Sequence, residues 1–251
     1  MRFENKTILI SGSGRGIGRA IAISFAQEGA RVCINYRSDK ESAQETLNML
    51  EGSGHFLHQC DIADPGAVQK MVQACINKFD QLDILVNNAA VHQHHPIHNT
   101  SYEKWQGEWR RSIDTNLLGS ANLTFCAAQH MIERESGRII FVSSRGAFRG
   151  EPDQPAYGAS KGAINSFGQS MAMALGPYGI GVGIVAPGFV ETDMVSDLLA
   201  SEKGEKIRGQ SPFNRVAKPE EVANAVLYLA DPKSLWSSGA IIDVNGASYF
   251  R

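Results

Sequence analysis

The sequence predicts an α/β protein: one doubly wound parallel sheet of about seven strands with helices on both faces. Three observations predict it. Short apolar runs of strand length recur along the 251 residues. Amphipathic stretches of helical period lie between them. A glycine-rich turn follows the first run, where the first helix opens.

Residues 6–11 (KTILIS) are nearly continuous in apolar character and end in glycines. Residues 31–36 (RVCINY), 83–87 (DILVN), 138–143 (RIIFVS), 181–186 (GVGIVA) and 240–244 (AIIDV) follow the same rule, and 55–60 (HFLHQC) is a weaker member. Runs without alternation suit strands covered on both faces. Between them, Val68, Met71, Val72, Cys75, Ile76 and Phe79 recur at steps of three and four, one stripe of a helix. Asp64 before Pro65 reads as its N-cap, with proline in the first turn. Segments 39–50 and 219–230 are also amphipathic. No linker, repeat or low-complexity stretch interrupts the pattern, so residues 1–251 are expected to form a single domain.

Composition narrows the function classes. A chain with 43% hydrophobic and 20% charged residues is an ordinary globular one, not disordered, collagenous or coiled-coil. Lys and Arg number 24 and Asp and Glu 26, a net charge of -2 that argues against nucleic-acid or anionic-membrane partners. No apolar run approaches the ~18 residues a membrane span needs, and the start enters a strand without a signal-peptide core. Cys33, Cys60, Cys75 and Cys126 are scattered with no C-x-x-C pair, as expected of small buried hydrophobes in a reducing, cytoplasmic compartment.

The turn Ser11-Gly12-Ser13-Gly14-Arg15-Gly16-Ile17-Gly18 lets a backbone bend sharply and approach a pyrophosphate, while the helix behind it offers free N–H groups. Its spacing is G-x3-G-x-G. The end of the second strand is where an adenosine ribose would lie, and an acid there would repel a 2′-phosphate. Tyr36, Arg37 and Ser38 occupy that place, and Arg15 reaches toward it from the glycine turn. Guanidiniums and a hydroxyl suit a phosphate dianion, so NADP(H) is expected over NAD(H), which stays possible. Asp39 is the counter-signal. Farther along, Tyr157 and Lys161 are four residues apart, on one helix face. Ser144 ends the fifth strand, on the same sheet edge as the glycine turn.

Through Gly12-x3-Gly16-x-Gly18, Asn87-Asn88-Ala89-Ala90, Asn116, Ser144, Tyr157-x3-Lys161 and Pro187-Gly188, in that order, essentially the whole chain resembles the single-domain short-chain dehydrogenase/reductases. Two positions depart from the pattern: Ser11 stands where Thr is usual, and Ala90 where Gly is usual. The resemblance implies a Rossmann-type fold and an enzyme that interconverts a carbonyl and an alcohol by hydride transfer. Tyr157 would be general acid in reduction and base in oxidation. Lys161 would lower the phenol's pKa and hold the nicotinamide ribose. Ser144 would stabilise the substrate oxygen, and Asn116 would anchor a relay water. The cofactor set would comprise Gly12, Ser13, Arg15, Gly16, Ile17, Gly18, Tyr36, Arg37, Ser38, Asp61, Ile62, Asn88, Ala89, Ala90, Tyr157, Lys161, Pro187, Gly188, Val190 and Thr192. For Asn88 a purely structural role stands beside the cofactor role. No metal is expected. The alternatives are an NAD-dependent alcohol, sugar or steroid dehydrogenase of the same family, or a non-catalytic dinucleotide sensor, which would be expected to lose Tyr157 or Lys161.

The substrate side is less defined. His92, His94, His95 and His98 fall within seven residues and read as a solvated loop at the pocket mouth, with a substrate-contacting histidine as second choice. Segment 145–155 carries two Arg and two acids, for substrate recognition or mutual pairing. Residues 190–212 resemble the family's substrate lid. The general appearance is that of 3-oxoacyl-thioester reductases, but 174–179 lacks the basic residue expected for docking an acyl carrier protein. A small-molecule carbonyl or alcohol substrate and a homo-oligomer, tetramer or dimer, are implied.

Overall fold

The structure, a computed structural model, describes residues 1–192 and 199–251. The strands are β1 (Thr7–Ile10), β2 (Arg31–Tyr36), β3 (Phe56–Gln59), β4 (Ile84–Asn87), β5 (Gly137–Val142), β6 (Ile180–Pro187) and β7 (Ile241–Val244). They form one seven-stranded sheet in the order β3-β2-β1-β4-β5-β6-β7, and every pairing is parallel. β1, β4, β5 and β6 are buried along their whole length, which explains their unbroken apolar runs. β3, at the sheet edge, is only half-buried, and its reading is weakest for that reason.

Among the described residues the helices are α1 (Gly16–Gln27), α2 (Lys40–Met49), α3 (Pro65–Phe79), α4 (Tyr102–Ser112), α5 (Ser120–Glu133), a short α6 (Gly146–Arg149), α7 (Pro155–Leu175), α8 (Glu202–Arg208) and α9 (Pro219–Ala230). In α3, Asp64 caps the helix by accepting from the Gly66 and Ala67 N–H groups, and Pro65 occupies the first turn. Its Val68, Met71, Val72, Cys75 and Phe79 are buried, each contributing about 1.5–3 kcal/mol of transfer free energy. Two cores result, one on each sheet face. The first joins Ile21 and Phe25 of α1 to Val222 and Val226 of α9. The second joins the α3 stripe to Leu123 of α5 and Ile164 of α7.

The sequence patterns single out no helix between β4 and β5. There α4 and α5 are joined by one π-helical stretch, Ile113–Gly119. The α4 stripe escapes notice because it is carried by Trp105 and Trp109 among charges. Of the expected lid, Ser196 and Leu198 lie outside the described residues, and α8 follows them. All four cysteines are free. No helix among the described residues is long and apolar enough to cross a membrane.

Candidate active site

β1 is flanked by β2 and β4, so the chain leaves it in both directions and opens a crevice at the strands' carboxyl ends. A cavity of about 360 Å³ occupies that crevice. Arg15, Tyr36, Arg37 and Ser38 line its β2 end, and Ser144, Tyr157 and Lys161 its β5 and β6 end.

The glycine turn makes the floor. Gly12 and Gly16 have φ of 63° and 55°, the left-handed region. A Cβ on Gly18 would lie 2.4 Å from the Gly12 carbonyl oxygen, so no side chain fits there. The Ser11 hydroxyl accepts from the Asn88 and Ala89 N–H groups, each at 3.0 Å, preserving the bonding that a Thr would offer. The Asn88 amide donates to the Ser11 and Gly12 carbonyls at 2.9 Å, so Asn88 ties β1 to β4 and also lines the cavity. The first bond of α1 runs from the Arg19 N–H to the Arg15 carbonyl. The N–H groups of Gly16, Ile17 and Gly18 precede that ladder and are available to an anion.

Two expected cofactor residues are placed elsewhere. Ser13 is fully buried with its N–H on the Asn35 carbonyl and its hydroxyl on the Ile10 carbonyl, because the turn folds it inward toward β2. Val190 pairs with Ala217 and packs into the core. Neither lines the cavity; Ala89, Ala90, Asp61, Ile62, Pro187, Gly188 and Thr192 do. Asn35 escaped the sequence reading. Its side chain accepts from the Gly12 N–H at 3.0 Å and donates to the Cys60 carbonyl at 3.0 Å, and an asparagine inside an apolar strand was the available signal.

The counter-signal at β2 stands at the cavity itself, where Asp39 lines the wall beside Arg37 and Ser38. Asp39 caps α2, accepting from the Ser42 N–H and hydroxyl at 3.0 and 2.7 Å. Those bonds, with Arg15 and Arg19 nearby, hold its carboxyl below the usual range.

At the other end, Pro155 opens α7 and puts Tyr157 in its first turn, with Lys161 one turn on. Ser144 follows β5 and accepts from the Gly146 N–H at 3.0 Å. Burial raises the Tyr157 phenol, the Ser144 hydrogen bond works in the opposite direction, and the Glu151 charge raises it further. Lys161 is buried, donates to the Val142 carbonyl at 2.7 Å, and lies 5.8 Å from the Tyr157 ring centroid. Burial pushes its ammonium down to about 8. Desolvation is the leading influence on both groups.

Asn116 sits in the π-helical stretch and does not line the cavity. Its side chain accepts from the Val91 N–H at 2.8 Å and donates to the Val91 carbonyl and the Ser160 hydroxyl at 2.9 Å. Both amide hydrogens are spent on protein, so this side chain braces β4's exit against α7.

The histidine run divides. His94 and His98 are exposed, whereas His95 is fully buried. It bonds the Gln93 carbonyl through Nδ1, accepts the Ala156 N–H on Nε2 at 3.3 Å, and stacks on Trp105. His92 lines the cavity and stacks edge-on against Tyr157, with ring centroids 5.9 Å apart, and burial lowers its pKa. Among the described residues no three His, Cys, Asp or Glu side chains gather as a metal set.

Comparison with known proteins places this geometry among relatives. A family model described as enoyl-(acyl carrier protein) reductase matches residues 12–247. The chain is 37% identical over 246 residues to the 3-oxoacyl-[acyl-carrier-protein] reductase FabG of Staphylococcus aureus (strain Mu50), covering 97% of this chain and 98% of that one. It is 34% identical over 249 residues to the Escherichia coli (strain K12) protein of the same name, covering 99% of each. A crystal structure of a short chain dehydrogenase from Burkholderia cenocepacia J2315 in complex with NADP superposes with a TM-score of 0.88 at 30% identity, covering 99% of both chains.

Proposed function

The chain belongs to the short-chain dehydrogenase/reductase family, and on that premise we propose that it is an NADP(H)-dependent reductase of a small carbonyl compound with Tyr157 as its acid. The observation that carries this reading is that one cavity is lined by the glycine turn and by Ser144, Tyr157 and Lys161.

The residues present fit a dinucleotide. The cradle is built where a Cβ would collide, at Gly12 and Gly18. When bound, the dinucleotide supplies the hydride. Gly16, Ile17 and Gly18 would hold its pyrophosphate through their N–H groups. Arg15, Arg37 and Ser38 would take the 2′-phosphate at the β2 end of the cavity. Lys161, Thr192, Pro187 and Gly188 line the opposite end and would border the nicotinamide.

For the carbonyl, Ser144 and Tyr157 both offer a hydroxyl to its oxygen. Burial keeps the phenol protonated at neutral pH, which is the form reduction requires. The Tyr157 Oη gives up its proton as the oxygen gains negative charge, and Ser144 steadies that charge. Lys161, one turn on, favours the resulting phenolate. Asn116 is a positioning residue: it fixes the π-helical stretch against Ser160 beside Tyr157.

The substrate follows the relatives only in class. A 3-oxoacyl thioester belongs in the test panel, although 174–179 carries no basic residue for a carrier protein. Exposed Leu118, Phe125 and Met173 on the α5 and α7 side, and Tyr228 and Trp236 beside β7, support a homo-oligomer, to be measured by light scattering. Initial rates with NADPH and NADH over ketones and 3-oxoacyl thioesters test the function. Oxidation of NADPH at a rate at least tenfold above that of NADH is expected. No oxidation of either, or a tenfold preference for NADH, contradicts the reading.

A further inference from the structure

A second cavity, of about 230 Å³, lies one layer of chain away from the first. Ser144 and Gly188 line the first cavity; their successors Arg145 and Phe189 line the second. Among the described residues the cavities share no lining residue.

Its walls are mostly apolar, including Phe189, Ile207, Phe213 and Val244. Its polar groups are nearly all spent. Arg215 is closed by Glu221 through two bonds, at 2.7 and 2.6 Å. The Ser211 hydroxyl donates to the Gly246 carbonyl and accepts from the Phe213 N–H. Arg145 is the exception. It is 3% exposed, its side chain bonds the Ser248 hydroxyl through Nη1, and it lies over the Phe189 ring at 5.3 Å. No carboxylate among the described residues lies within 4.0 Å of it. Glu151 acts on it only at longer range, and burial lowers its pKa.

A buried guanidinium without a paired anion is costly, and a carboxylate is the group its planar fork matches. With Arg215 cancelled by Glu221, the lining keeps one net positive charge against an apolar wall. We propose that this cavity binds a small organic acid, carboxylate on Arg145 and apolar body against Phe189, Ile207 and Phe213. Hexanoate, a carboxylate on a short apolar chain, matches that pairing of charge and wall. The site is separate from the carbonyl site and does not depend on the reductase reading.

Calorimetric titration of the whole protein with hexanoate and with hexanamide, its uncharged counterpart, tests it. Hexanoate is expected to bind at least tenfold tighter than the amide, with an affinity unchanged within twofold by saturating NADPH. Arg145→Gln is expected to lose at least tenfold and Arg145→Lys to lose less. Phe213→Ser, at an exposed rim position, is expected to weaken hexanoate while leaving acetate unchanged. That variant and the acid-to-amide ratio carry the test if Arg145→Gln does not fold. Equal binding of acid and amide, displacement of hexanoate by NADPH, or an undiminished affinity in Arg145→Gln overturns the proposal.

Discussion

The glycine turn after β1 and the Tyr157–Lys161 pair on α7 border the same groove, yet they are built from opposite materials. The turn works through what is missing: Gly12 and Gly18 have no Cβ because Ala89 and the Gly12 carbonyl stand where one would go. The pair works through what is present and costly. A phenol and an ammonium are taken out of water, and burial pushes the first up and the second down to about 8. A cradle of backbone is tuned by shape, whereas a proton-transfer end is tuned by desolvation. Substitutions at the two ends should therefore fail in different ways.

The largest expected effect is on rate alone. Tyr157→Phe removes the proton donor and leaves the cradle intact, so kcat should fall by about 10²–10⁴-fold while NADPH affinity, read by fluorescence titration, stays within twofold. Gly18→Ala attacks the opposite end. Its methyl must displace the Gly12 carbonyl, costing about 1–3 kcal/mol of stability, and NADPH affinity should drop at least tenfold before any change in the chemical step.

Lys161→Met sharpens the desolvation side, because it should stabilise the protein while inactivating it. The folded-state pKa of about 8 lies below the ordinary 10.5. Through the interval between them the unfolded chain holds more protons, so stability rises with pH there, and the penalty is fully present below about pH 8. A shift of that size corresponds to about 3 kcal/mol, reduced by the lost bond to the Val142 carbonyl. Thermal melts of the apoprotein should show the variant higher by about 1–3 kcal/mol at pH 7, with the gap closing toward pH 10.5. A gap that widens with pH would contradict the burial account. The smallest effect belongs to Arg37→Ser, which should cut the preference for NADPH over NADH by about tenfold without changing melting temperature.

The same contrast explains what the sequence makes legible. β1, β4, β5 and β6 are buried on both faces, so their apolar runs can be read directly. The glycine turn is legible because close approach of backbone leaves glycine as the residue that fits. Side-chain destinations inside a loop carry no such pattern. His92, His94 and His95 look alike in sequence, yet one stacks on Tyr157, one is exposed and one is sealed against α7 by the Ala156 N–H. Arg145 belongs to a segment read as recognising substrate or pairing with its own acids, yet it is buried, because its main chain bonds the Pro187 carbonyl and draws its side chain toward Ser248. Ser13 sits among cavity-lining neighbours and turns inward to Asn35. Asn116 occupies a π-helical stretch, where one extra residue per turn shifts the register that a helical stripe would reveal.

Difference density for NADPH in a crystal of this protein tests the central claim most directly. The account places the 2′-phosphate against Arg15 and Arg37, the pyrophosphate on the N–H groups of Gly16 to Gly18, and the nicotinamide within reach of Tyr157 and Lys161. Density in the reverse orientation, or density lying outside the groove between β1 and β4, would contradict it.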